Sequence, residues 1–326
     1  MEVKKMKLCK RIIPLLLAMM LLLSTPAFAA ESIDLNRETA LTISYQDGGV
    51  PLVGANFSIY LVATVDEAGE LTTVDSFRQF NVDIRGKNDA AWRTLASTLE
   101  GYVLRDNVVP TDSGKTNAGG NLYFPTGGKK LTPGLYLVLG DRITQGGFRY
   151  DPMPFMVMLP TQDTDRNEWL YDVIVNPKHE SSEIPDTPST ITRKVLKVWD
   201  DANSSGRPTE VIVQLLRDGK VYDTVSLNSE NNWRYTWSDL DDSYTWTVVE
   251  KACKGYTVQV ERDGITFVIT NTREVDVPDN PTPPKPTKPT LPQTGQLWWP
   301  VPLLMMGGLL FLVIGLFYRK RTSGEK

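Results

Sequence analysis

Cysteine and histidine are nearly missing from this chain: Cys9, Cys253 and His179 are the whole supply in 326 residues. His179 sits at the edge of a polar, proline-containing stretch and reads as an exposed linker residue. With that one histidine, no Ser-His-Asp, Cys-His or multi-His metal site is expected within a single chain. Nothing points to a cofactor or a metal. Cys9 lies among Lys4, Lys5, Lys7, Lys10 and Arg11, in a segment that reads as removable. Cys253 then remains alone, and an intramolecular disulfide is excluded. Positive charge is also scarce, with 35 basic against 39 acidic residues. Setting both ends aside leaves 26 against 37, a net of −11. So acidic a chain has no basic face for non-specific nucleic-acid binding.

Long apolar runs occur only at the two ends. Ile12 to Leu23 follows the basic cluster and precedes Ala27-Phe28-Ala29-Ala30. A positive segment, a short apolar run and an A-x-A site predict a secretory signal peptide over 1–29. The run is too short to span a bilayer comfortably. The second run, Leu297 to Tyr318, is long enough to span, and Arg319-Lys320-Arg321 follows it. Trp298 and Trp299 suit the outer interface, and the basic tail 319–326 holds the end in the cytoplasm. This predicts a C-terminal transmembrane helix over 297–318.

Between the ends, two linkers stand out. Residues 180–190 (ESSEIPDTPST) are polar with prolines, and 274–290 are dense in proline and favour polyproline II. They bracket two modules, 30–179 and 191–273, both rich in short strand-like runs separated by turn signals. In the first, 42–45, 56–62, 135–139 and 155–159 read as strands. Asp89 to Val103 instead places Trp92, Leu95, Ala96, Leu99, Tyr102 and Val103 at helical spacing, with Asn88 as N-cap. That helix is expected to cover one end of a sandwich. In the second module, alternation recurs at 194–199, 211–216, 233–237, 244–250 and 267–271. The fold class is therefore all-β: β-sandwich modules in tandem, the first with an added helix.

Alternation also decides what faces inward. Val195, Lys197 and Trp199 share one strand face, as do Trp246, Val248 and Glu250, and Phe267, Ile269 and Asn271. Three polar residues thus point into one apolar core. Burial lowers a lysine pKa and raises a glutamate pKa. A neutral amine beside an amide, with a protonated carboxyl bonded to both, can react: the amine attacks the amide carbonyl and ammonia leaves. The plainer alternative is a buried Lys197–Glu250 ion pair, which is a poor stabiliser. Asp201-x-Asn203-x-Ser205-Gly206 has the opening spacing of a calcium loop. Its twelfth position is Ile212, with no bidentate Glu, so it reads as a polar turn.

The motifs carry a resemblance. Lys197-Val-Trp-Asp-Asp201, Gly206-Arg207-Pro208, Trp233-x-Tyr235, Tyr244-x-x-x-Val248-x-Glu250, Gly255-Tyr256 and Ile269-Thr270-Asn271-Thr272 are similar to the collagen-adhesin B-type (Cna-B-type) family. The resemblance implies an Ig-like sandwich with a spontaneous isopeptide bond between Lys197 and Asn271, with Glu250 as its proton carrier. The stretch 250–256 (EKACKGY) departs from that family. It is one residue short, with Cys253 and Lys254 where a small residue and proline are expected. Cys253 reads as a loop residue, and an intermolecular disulfide is the alternative.

Leu291-Pro292-Gln293-Thr294-Gly295, with an apolar run and basic tail behind it, resembles an LPxTG sorting motif at 291–295. That implies a secreted protein cut by a sortase between Thr294 and Gly295 and joined to the cell wall of a Gram-positive bacterium, with the membrane holding only the precursor. The first module resembles sortase-assembled pilins, above all in Trp169-x-x-x-Val173-x-Val175-Asn176-Pro177-Lys178. Only Asn176 departs from that W-x-x-x-V-x-V-Y-P-K motif, and Trp169, Val173 and Val175 are expected to anchor a last strand, although their spacing mixes its faces. The resemblance implies that Lys178 accepts the threonine of another pilin subunit. The plain alternative is a solvated lysine at a domain end. Thr39 to Gln46 holds no lysine, so the first module is expected to lack an internal bond and to rely on packing. The reading is a wall-anchored pilin subunit, short shaft or minor/basal. Its partners are a sortase, peptidoglycan and other pilin subunits. The alternative is an adhesin whose first module binds a host-surface ligand on a B-type stalk. No nucleophile or carboxylate constellation suggests an enzyme.

Overall fold

A computed structural model describes residues 32–273, apart from 86, 164, 165, 167 and 203–205. The signal peptide, the proline-rich segment, Leu291 to Gly295, the apolar run 297–318 and the basic tail lie outside the described residues, as do Asn203 and Ser205. Among the described residues no helix is long and apolar enough to cross a membrane. All of them belong to one compact, mostly β unit.

The first module runs through β1 (Ala40–Ser44), β2 (Gln46–Asp47), β3 (Val50–Pro51), β4 (Asn56–Val65) and β5 (Leu71–Thr73). Two helices follow, α1 (Asp75–Arg78) and α2 (Asp89–Asp106). Next come β6 (Asp112–Lys115), β7 (Asn121–Phe124), β8 (Gly134–Gly140), β9 (Ile143–Gln145), β10 (Phe148–Pro152) and β11 (Phe155–Leu159). The module closes with β12 (Thr161–Asp163), β13 (Glu168–Leu170), β14 (Asp172–Val175) and β15 (His179–Glu183). A sheet of order β14-β1-β7 faces a sheet of order β11-β8-β4-β5, with β6 also paired to β4. Leu41, Ile43 and Val173 from the one meet Ile59, Tyr136, Val138 and Leu159 from the other in a single core.

Strand β8 explains why Leu135 to Leu139 is an unbroken apolar run rather than an alternating one. Tyr136 and Val138 face the first core, while Leu135, Leu137 and Leu139 face a second core on the other side of the sheet. A strand covered on both faces has no polar side to show. The second core is closed by α2, through Leu95, Ala96, Leu99, Tyr102 and Val103.

Helix α2 begins as its sequence predicts. The Asn88 side chain accepts a hydrogen bond from the Ala91 amide at 2.9 Å, which satisfies one orphan donor of the first turn. It ends at Asn107, whose left-handed backbone (φ 51°) closes the last turn. Its place corrects the expectation of an end cover. The helix lies between the five-stranded sheet and the second module, and Leu216 and Val249 of that module join its core. Helix faces on both sides are buried, so periodicity alone did not reveal the second partner.

Two other expectations change. His179 is not an exposed linker residue: its side chain is 13% exposed, and Nε2 lies 3.6 Å from Asp47. Tyr45 and Tyr150 meet its ring edge-on at 5.4 and 5.3 Å. It sits there because 179–183, at the head of the polar stretch, pair with β10 as β15. Trp169 and Val173 do not share a last strand. Trp169 is in β13 and Val173 in β14, separated by the buried Tyr171.

The second module is a seven-stranded sandwich. Its strands are β16 (Thr190–Asp200), β17 (Glu210–Arg217), β18 (Lys220–Asn228), β19 (Arg234–Asp241), β20 (Trp246–Glu250), β21 (Tyr256–Asp263) and β22 (Thr266–Arg273). One sheet has the order β19-β16-β22-β21 and the other β18-β17-β20. Val195, Val213, Leu215, Trp237, Val248, Val260 and Ile269 fill the space between them.

Candidate functional site

Lys197, Glu250 and Asn271 meet inside that core. Strands β16 and β22 are parallel neighbours, with Lys197 opposite Ile269 and Trp199 opposite Asn271. Lys197 and Asn271 are therefore diagonal neighbours on the inward face. Glu250 ends β20 in the facing sheet, opposite Val213, and reaches across the sandwich to both. The three residues are at most 4% exposed. Asn271 Nδ2 donates to Glu250 Oε1 at 2.6 Å. Lys197 Nζ lies 3.5 Å from Glu250 Oε2. The amine also donates to the carbonyls of Val198 at 3.1 Å and Ile269 at 3.3 Å.

The electrostatics follow from the burial. Desolvation lowers the Lys197 pKa to about 8, against the opposing pull of the Glu250 charge. Desolvation also raises the Glu250 carboxyl, although Lys197 and the Asn271 hydrogen bond favour its ionised form. The fall of the lysine from 10.5 to about 8 makes the neutral amine roughly 300-fold more populated at any pH below both values. Glu250 Oε2 and Asn271 Oδ1 are buried without a hydrogen-bond partner among the described residues. Orphaned buried acceptors are costly, and a proton on the carboxyl relieves that cost. The 2.6 Å contact serves the opposite amide orientation equally well, with the protonated carboxyl donating to Oδ1 and polarising the carbonyl.

Some of the surroundings were not legible in advance. The Trp199 ring, placed by alternation in the core, lies under the amine, 4.5 Å from Nζ to its centroid. A cation over an indole face is held electrostatically. Burial and the Glu250 charge push the pKa of the Cys253 thiol up. Asp201, Arg207 and Tyr256, all among the residues of the B-type resemblance, form one cluster. Arg207 Nε donates to Asp201 Oδ2 at 2.8 Å, and the Tyr256 hydroxyl to the same oxygen at 3.0 Å.

Lys178 lies far from this cluster in the chain, exposed between β14 and β15 and next to the buried Pro177. Its carbonyl accepts from the Met153 amide at 2.8 Å, which fixes the backbone and leaves the amine in solvent. Leu291, Pro292, Thr294 and Gly295 lie outside the described residues.

Residues 193–272 match the family model of the Cna protein B-type domain. The chain is 40% identical over 106 residues to the collagen adhesin of Staphylococcus aureus, a match that takes in 29% of this chain and 9% of the adhesin. The chain thus corresponds to under a tenth of that relative's length. Among solved structures it is similar to a single B repeat unit of the collagen-binding surface protein of the same organism. That alignment has 20% identity, covers 73% of this chain and 98% of that one, and has a TM-score of 0.26. It is also similar to the shaft pilin SpaA of Lactobacillus rhamnosus GG, at 16% identity over 74% and 100% of the two chains, with a TM-score of 0.27. The major pilin SpaD of Corynebacterium diphtheriae aligns at 13% identity over 74% and 99%, with a TM-score of 0.28. The buried Lys197–Glu250–Asn271 cluster therefore lies inside the stretch, 193–272, that matches the Cna protein B-type domain, joined to a larger β module that carries Lys178.

Proposed function

We propose that this chain is a covalently reinforced stalk subunit of the bacterial surface, a pilin that a sortase cuts between Thr294 and Gly295 and joins through Lys178 of a neighbour. The observation that carries the reading is the buried Lys197–Glu250–Asn271 cluster within a B-type domain. In the reinforcing step, the neutral Lys197 amine attacks Cγ of Asn271. The Nζ–Cγ bond forms and the Cγ–Nδ2 bond breaks. Glu250 takes a proton from Nζ and gives one to Nδ2, which leaves as ammonia. The product is a neutral amide in place of a buried amine that would otherwise carry a charge, and Glu250 is regenerated.

Polymerisation uses the other end of the chemistry. The exposed Lys178 amine attacks a thioester between sortase and Thr294: an amide forms between Nζ and the Thr294 carbonyl carbon, the C–S bond breaks, and the sortase thiol leaves, with one subunit linked to the next. The wall peptide is the alternative acceptor for Thr294. A wall extract from cells carrying the full chain should give an SDS-resistant ladder, and Lys178→Ala should collapse it to one anchored band. A single band in both strains would instead favour a monomeric adhesin. That second reading draws on the 40% identity to a collagen adhesin.

A further inference from the structure

The second module has a seam. β20 is the edge of one sheet and β21 the edge of the other, and the two edges lie side by side. Glu250 belongs to the first edge. Asn271 lies one strand behind the second, directly opposite Val258 of β21. In a sandwich standing alone, such a seam is where water enters and where unpaired strand edges meet solvent. Here the first module fills it. The Val258 amide donates to the Asn81 carbonyl at 3.0 Å, and the Val260 amide to Thr98 Oγ1 at 2.8 Å. Asn81 Nδ2 donates to the Tyr256 carbonyl at 2.5 Å. These bonds come from α2 and the segment before it, and they satisfy edge groups that no strand covers.

On the β20 side the fit is tighter. A Cβ at Gly101 would stand 2.8 Å from the Val248 carbonyl oxygen and 3.2 Å from the Val249 Cβ. Only glycine lets the helix approach this closely, and β20 reaches Glu250 two residues later. Tyr102, 3% exposed, stacks on Phe80 at 4.9 Å, and burial together with the Glu250 charge pushes its hydroxyl pKa up.

We propose that α2 of the first module is the outer wall of the reaction site in the second, with Thr98, Gly101 and Tyr102 as positioning residues for the Lys197–Asn271 bond. The proposal rests on the isopeptide reading above. Its physical basis is dryness. The reactive pair is a neutral amine and a protonated carboxyl, and burial keeps that pair populated against its ionised form. Water admitted through the seam would return both groups toward their ordinary values, and each unit of separation regained costs tenfold in reactive pair. The first module, which offers no lysine on its own first strand, thereby controls the cross-linking of its neighbour.

The test follows ammonia loss by intact mass after refolding of the soluble chain 32–275, from about pH 5 to about pH 10. Thr98→Val removes the bond to β21 while keeping the shape. It should slow the loss about tenfold at neutral pH and move the alkaline limb of the rate above its wild-type position, with Thr98→Ser restoring both. Gly101→Val should do the same more strongly, by holding the helix off β20. If Gly101→Val fails to fold, Thr98→Val decides alone. Folded variants that react at the wild-type rate with an unmoved limb would overturn the wall and leave the isopeptide reading intact. A wild-type chain that never loses ammonia would overturn both.

Discussion

Glu250→Gln isolates the chemistry of the cluster from its packing. The glutamine keeps the shape and still accepts from Asn271 Nδ2, but it cannot carry a proton between Nζ and Nδ2. The variant should retain the full mass, while the wild type is short by one ammonia. The stability difference can be worked from the loop. A link from Lys197 to Asn271 closes roughly 75 residues, and the chain-entropy expression for cross-links puts that closure at about 4.5 kcal/mol. For a unit of this size each kcal/mol moves the midpoint by about 2–4 °C, so Glu250→Gln should unfold roughly 9–18 °C lower. Asn271→Ala, which removes the electrophile, should fall by a similar amount. Intact mass and thermal unfolding followed by circular dichroism read both quantities on one sample. The reasoning fails if Glu250→Gln loses ammonia as completely as the wild type, or if both variants lack the bond yet melt within a degree or two of wild type.

Other consequences follow from the same geometry. In Asn271→Ala the unreacted Lys197 keeps a folded pKa near 8, below its unfolded value. The penalty is then fully present below about pH 8 and is relieved as pH climbs toward about 10.4, so this variant should gain up to about 3 kcal/mol relative to wild type across that window. Denaturant titrations at several pH values would show it, and parallel curves for the two proteins would refute it. Ammonia release in the wild type should be bell-shaped in pH, with its alkaline limb near 8, where the pair gives up its last proton. Leu99→Ala, at a fully buried position in the core shared by the modules, should cost about 2–5 kcal/mol and shift one common unfolding transition. Two separated calorimetric peaks would show instead that the modules melt independently. Asn88→Ala should cost about 1 kcal/mol through its lost cap, read as a small drop in denaturant midpoint at unchanged slope.

The cluster was legible in the sequence because strand alternation has a period of two and leaves no freedom about which face a residue takes. Once Val195 and Trp199 are assigned inward, Lys197 must follow, and the same holds for Glu250 after Val248 and for Asn271 after Ile269. The start of α2 was legible for an equally local reason, the oxygen of Asn88 at the N-cap. His179 was misread because its polar neighbours suggested a linker. The backbone of a polar segment can still pair with a sheet edge, and the aromatic pocket of Tyr45 and Tyr150 is built from strands distant in sequence.

What the sequence determined by itself is therefore what depends on near neighbours: the strand faces, the helix and its cap, and the inward direction of Lys197, Glu250 and Asn271. Pairing and distance were decided only by the tertiary structure. Parallel β16 and β22 bring the lysine and asparagine side by side, and the facing sheet sets Glu250 2.6 Å from the amide. The position of α2 belongs to the same class. Thr98 and Gly101 look like ordinary helix residues in one dimension. Their contacts with β20 and β21 exist only because a helix and two strands far apart along the chain pack against one another.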